Sequence, residues 1–162
     1  MHVNSRLIDI VPDKFKPLTV AEETLLAGNS TILRTGDKEK NDPEKGADWG
    51  PERTIRSELI IWLCTDQDAV KMVHPMGVFI FGAKIEGELD FSFTRLERPL
   101  GLIECNIPGL ILLYAELPTL ALKGSFIYSD GNAFSADGMR VKGNVILKEV
   151  RVKGAVRLLG AN

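Results

Sequence analysis

From His74 to the C-terminus, apolar residues return with a period of about eleven, and the period is made of alternate positions. Ile85, Gly87, Leu89 and Phe91 state the unit most clearly, each separated by one outward residue. The same phase recurs at Leu96/Leu100/Leu102, Ile107/Gly109/Ile111/Leu113, Val141/Gly143/Val145/Leu147 and Val152/Gly154/Val156/Leu158. Asp130-Gly131 and Asp137-Gly138 are candidate hairpin turns, and antiparallel hairpins also space strands at about 8 to 12 residues. A sandwich, however, does not require a constant residue phase. A solenoid does, because like residues stack on like residues from coil to coil. The expectation is a mainly β protein: a parallel β-helix whose half-coils run to about eleven residues. Gly at the second phase position in four units (87, 109, 143 and 154) marks tight corners or close backbone approach.

Ahead of the array the chain divides in two. Residues 1–48 read as an arm with one short helix and a polar loop. Thr19-Val20-Ala21-Glu22 is a capping box, and Gly28-Asn29 a stop for the helix that follows it. Residues 49–73 read as a helical cap: Pro51 suits a first helical position, and Ile55, Leu59, Trp62 and Leu63 share a face. Thr65 or Asp66 is placed to cap a second short helix, which His74-Pro75 ends. Ile107 to Leu113 is apolar in both phases, so that strand needs cover on both faces, and the Trp62 helix is the expected cover. Residues 74–162 form the repeat array. It stops one unit after Val152 with no amphipathic segment behind it, so the expectation is a fragment of a longer array or an edge covered by a second copy.

At 162 residues, with 44% apolar and 26% charged residues, the chain is long enough for one globular core. A formal charge of −2 excludes a polyanion-binding field over the whole chain. The distribution is uneven: Lys84 to Glu116 holds six acids and three bases, whereas Arg140 to Arg157 holds six bases against Glu149. Cys64 and Cys105 lack ligand or redox spacing and read as free thiols of a reducing compartment. No secretory signal and no apolar run of membrane-spanning length is readable, so a cytoplasmic location is expected.

Three segments carry a resemblance: Ala83 to Asp90, Val141 to Val145 and Gly154 to Ala161, with Asp48-Trp49-Gly50-Pro51-Glu52-Arg53-Thr54-Ile55-Arg56 before them. Together they resemble a bacterial repeat family whose members are labelled pentapeptide-repeat-like or, in some genomes, "membrane-associated oxidoreductase". The resemblance spans residues 48–162. It implies a right-handed parallel β-helix behind a helical segment.

Candidate chemistry is sparse. Strict alternation puts Glu86, Glu88 and Asp90 on the outer face of one strand, where carboxylates can bind a cation or act as acid and base. A solvated outer face needs the same residues. Arg140, Lys142, Arg151, Lys153 and Arg157 are candidate partner-binding residues, read as a strip on adjacent coils. Aromatic interleaving is missing, which argues against nucleic acid. No GxGxxG, CxxC, haem or iron–sulfur spacing is present, so no cofactor is expected. Neither His74 nor His2 has a triad order around it, and Cys64 lacks a base. The first functional expectation is therefore a non-enzymatic binding or scaffold module for a protein partner or for itself through the open C-terminal edge. The alternatives are a β-helix enzyme acting on a polysaccharide-like polymer through the acidic row, and a polyanion-mimicking or polyanion-facing regulator.

Overall fold

A computed structural model describes residues 5–37 and 41–162; His2 lies outside the described residues. The array is a parallel β-solenoid with four sides to a coil. On the first side Val78–Phe81, Leu100–Ile103, Leu120–Ala121 and Val145–Ile146 stack in parallel. Val78 lies on Leu100, Leu100 on Leu120, and Leu120 on Val145, so successive turns take 22, 20 and 25 residues (100 − 78, 120 − 100, 145 − 120). Three full turns separate Val78 from Val145. The second side stacks Lys84–Glu86, Asn106–Ile107, the start of Phe126–Ser135 and the start of Arg151–Arg157. Leu89–Asp90, Leu110–Ile111 and the ends of those two long strands make the third side. The fourth pairs Glu116–Leu117 with Arg140–Val141, and Arg95 bridges to Glu116.

The buried residues of the second turn show how the corners work. Leu100, Leu102, Cys105, Ile107, Leu110, Leu112, Ala115, Leu117, Leu120, Leu122, Ser125 and Ile127 are buried in steps that alternate two and three. Two residues along a strand keep the inward face, and three cross a corner, so a side takes five residues here. The eleven-residue phase therefore slips: Leu110 and Leu112 point inward, while Ile111 and Leu113 are half-exposed. Gly109, at φ +92°, makes the corner that resets the alternation; Gly87 and Gly154 do the same at +97° and +130°. Gly143 has no left-handed φ.

The segments ahead of the array join its sheets. Ile32–Arg34 pairs with Phe79–Phe81, and Thr54–Arg56 pairs with Lys84–Glu86, both in parallel. Pro51 opens a short 3₁₀ turn, Pro51–Arg53, rather than the helix. Ile55, fully buried on Ile85, gains more from the ladder than from a helical turn. Among the described residues four α-helices complete the fold: α1 (Leu7–Ile10), α2 (Val20–Ala27), α3 (Ser57–Thr65) and α4 (Gln67–Met72). Asp66 caps α4 by accepting from the amides of Asp68 and Ala69. Helix α3 packs on Leu89–Asp90 and Thr54–Arg56, with Leu59, Ile60 and Leu63 fully buried, and does not cover Ile107 to Leu113. Trp62 lies against Phe15, ring centroids 6.3 Å apart.

A 3₁₀ segment, Pro43–Asp48, lies on the outer second side. Asn106, 1% exposed, holds it there: its Nδ2 donates to Pro43 O at 2.8 Å, and its Oδ1 accepts from the Tyr128 hydroxyl at 3.0 Å. Truncation strands a buried carbonyl and a phenol. Asn106→Ala is expected to lower stability by about 1–3 kcal/mol in urea unfolding. An unchanged urea midpoint would show that the segment is held by something else.

Candidate functional site

Among the described residues no further strand stacks on Val145–Ile146 or Arg151–Arg157, while residues 159–162 lie over residues 138–141. Val145, Leu147, Val156 and Leu158 occupy the inward positions stacked on Leu120, Leu122, Phe134 and Ala136. The lower set is at most 3% exposed, whereas the upper set is 40–49% exposed. Leu159 adds a more exposed side chain at the next corner. Val145–Ile146 and Arg151–Arg157 each pair on one side only among the described residues, leaving strand edges with free amide and carbonyl groups. Water solvates those groups, but the apolar positions gain nothing from it.

Charge surrounds this end. Arg140, Lys142, Lys148, Arg151, Lys153 and Arg157 are all exposed, as is the one acid, Glu149. The expected strip on adjacent coils is instead a rim on one coil: Arg140 and Lys142 on the fourth side, Arg151 and Lys153 on the second, Arg157 on the third. Arg151 reaches Glu44 at 3.0 Å and Asp42 at 3.6 Å; Arg157 reaches Asp137 at 2.9 Å. Arg140, Lys142, Lys148 and Lys153 form no ion pair among the described residues. Lys148 belongs to this rim although the strip reading passes over it. Its neighbour on the turn below is Lys123's segment, since Gly124 N donates to Lys148 O.

The acidic row does not survive folding as a row. Glu86 ends the Lys84–Glu86 strand, Gly87 turns the corner, and Asp90 lies on the third side. A period-two reading misses this because it carries the alternation straight through a left-handed corner. Asp90 accepts from the Ser92 amide at 2.9 Å, a turn-closing contact. Among the described residues no three His, Cys, Asp or Glu side chains are grouped to hold a metal ion.

Two open grooves flank the rim. One, ≈ 340 Å³, is lined by Arg95, Glu97, Glu116, Pro118 and Lys142 among others. The other, ≈ 640 Å³, is lined by Glu44, Phe126, Tyr128, Arg151, Val152 and Lys153. Glu86, Glu88 and Asp90 line neither. Phe126 and Tyr128 stack with centroids 5.2 Å apart, an aromatic pair that only the side-two alternation reveals. Burial pushes the Cys105 thiol up to about 12, so it stays protonated near neutrality, whereas Cys64 is only half-buried. His74 Nδ1 accepts from the Met76 amide at 3.1 Å, a local turn contact.

No helix among the described residues is long and apolar enough to cross a membrane. Comparison with protein-family models, with curated proteins and with solved structures finds no match to this chain.

Proposed function

We propose that this chain is a non-enzymatic binding or scaffold module that presents a face of its β-solenoid to a protein partner or to a second copy. The observation that carries this reading is the open groove on the second side, lined by Glu44, Phe126, Tyr128, Arg151, Val152 and Lys153, where a stacked aromatic pair lies among charged side chains. A right-handed winding, and helices that cap the first coil, belong to the same proposal. So does kinship with pentapeptide-repeat-like solenoids, which the five-residue sides of the Leu100–Ile127 turn support. A cytoplasmic location suits the two free cysteines.

The test is molar mass by light scattering over a protein concentration series at about 1 M NaCl, where charges are screened beyond about 3 Å. Two such faces should then meet, and the mass should rise towards a dimer. Lys153→Glu, a change at an exposed position of that groove, should reduce the rise while leaving the melting temperature close to that of the parent. A parent chain that stays monomeric throughout would sink the proposal that this face meets a second copy.

A further inference from the structure

We infer that the cleft between α4 and the fourth side of the first coil binds a small phosphate monoester. Arg95 and Glu97 flank the inward Leu96 and project from that side, as period-two alternation requires. Gln67, Val70 and Lys71, three and four residues apart, share one face of α4. With Thr65 these residues line a groove of ≈ 270 Å³. It is separate from the second-side groove, and small beside the roughly 300–1,000 Å³ of ordinary ligand pockets.

A second cavity, ≈ 10 Å³, adjoins it, with Cys64 and Val70 lining both. Its other walls include Leu63, Val73, Val78 and Leu96, and Arg98 lies among them. Arg98 Nε is buried without a hydrogen-bond partner. The cavity has room for about one water, but an ordered water needs about two to four polar partners, and these walls are apolar. A buried, unpaired N–H on a charged group calls for a bound species to explain it. Among the described residues the side chains of Lys71, Arg95 and Arg98 make no ion pair and no hydrogen bond. Drawing the Arg98 fork towards the groove therefore breaks no bond, and it can make two, through Nε and one Nη, to a single oxyanion.

Charge selects the class of ligand. Lys71, Arg95 and Arg98 face Glu97, a net charge of +2 (3 − 1). Asp66 is occupied in capping α4, where it accepts from the amides of Asp68 and Ala69, and Asp68 is not part of the lining. A carboxylate would leave one positive charge unmatched. A phosphate monoester, a dianion above its second pKa of about 6, matches all of it. The arginines offer planar forks and Lys71 a point charge, a set suited to phosphate oxygens. Glu97 repels a second phosphate and can accept from a hydroxyl on the organic part, so the ligand is a hydroxylated monophosphate.

Calorimetric titration of the full chain with glycerol phosphate, at about pH 8 and about 0.15 M NaCl, tests this. The parent should bind one equivalent, bind inorganic phosphate more weakly and ignore glycerol. Lys71→Ala and Arg95→Ala, both at exposed positions, should each weaken binding about tenfold or more, the worth of one charge-assisted hydrogen bond. Arg98→Met should weaken it as much. Its melting temperature without ligand should be no lower than the parent's, because the Arg98 side chain gives up no bond. Circular dichroism establishes that each variant is folded. A parent without saturable binding by about 10 mM, well above a millimolar dissociation constant, would overturn the inference. So would binding unchanged in all three variants, which would place the phosphate elsewhere. An Arg98→Met variant that melts below the parent yet binds as tightly would make Arg98 a packing residue, and the inference would fall with it.

Discussion

Arg56→Ala is expected to lower folding stability by about 3–5 kcal/mol, the scale for removing one partner of a buried ion pair. Its partner, Glu22, is fully buried on α2. The Glu22 carboxylate accepts from the Thr19 amide at 2.9 Å, from the Arg56 amide at 3.0 Å and from Arg56 Nη2 at 2.8 Å. Arg56 Nη2 also donates to the Phe15 carbonyl, so one guanidinium ties α2 and the segment before it to the Thr54–Arg56 strand. Alanine leaves the carboxylate buried with only amides for company. Arg56→Lys keeps a charge but not the fork, and should recover part of the loss. Acid should reproduce the effect. Burial pushes the Glu22 carboxyl up, but the Arg56 and Thr19 hydrogen bonds and the Arg56 charge outweigh it and hold it below its ordinary 4.5. A carboxyl depressed in the native state stabilises fully above its ordinary value, and that contribution disappears as pH falls through the depressed one. Urea midpoints should therefore fall as the solution is acidified below about pH 4.5, and Glu22→Gln should flatten that slope. A slope unchanged in Glu22→Gln would assign acid sensitivity to other carboxylates.

That pair also shows where sequence reading stops. Thr19 and Glu22 are three residues apart, and their capping box is legible because it is local; so is Asp66 at the start of α4. Arg56 is 34 residues from Glu22, and nothing in either neighbourhood announces the other. The array was legible for the same reason of repetition: stacked parallel strands demand like residues at like positions. Its pitch was not. A period of eleven averages five-residue sides with extra corner residues, and it tracks the 22-residue turn from Val78 to Leu100 better than the 20-residue turn that follows. The slip moved Leu110 and Leu112 inside and split Glu86 from Asp90. The two strands that precede the array, Ile32–Arg34 and Thr54–Arg56, are too short to show a period, and pairing alone makes them strands. The excess of bases after Arg140 was visible as a count. That it circles a coil with an exposed apolar centre depends on where the corners fall.

Corners also set the other large effect. Gly77→Ala is expected to cost at least about 3 kcal/mol, from a left-handed φ that L residues resist and from a clash the backbone cannot relieve. Gly77 sits at φ +96°, and a Cβ there would lie 2.0 Å from the Pro99 carbonyl oxygen. That oxygen accepts from the Val78 amide at 3.1 Å, a contact at the start of the first side. Moving Pro99 to make room loses that bond and shifts Leu100, which pairs with Val78 and is fully buried. Two other glycines separate the causes. Gly160 has φ +69° with open space around it, so Gly160→Ala should show backbone strain alone, about 1–2 kcal/mol. Gly131 has neither a left-handed φ nor a neighbour within 4 Å, so alanine there should be neutral or stabilise by about 0.4–1 kcal/mol through the unfolded chain. Chemical unfolding of the three variants should rank them Gly77, Gly160, Gly131 from most to least damaging. A Gly77→Ala cost no larger than that of Gly160→Ala would mean that the first corner yields, and that close approach between turns is not what holds successive coils in register.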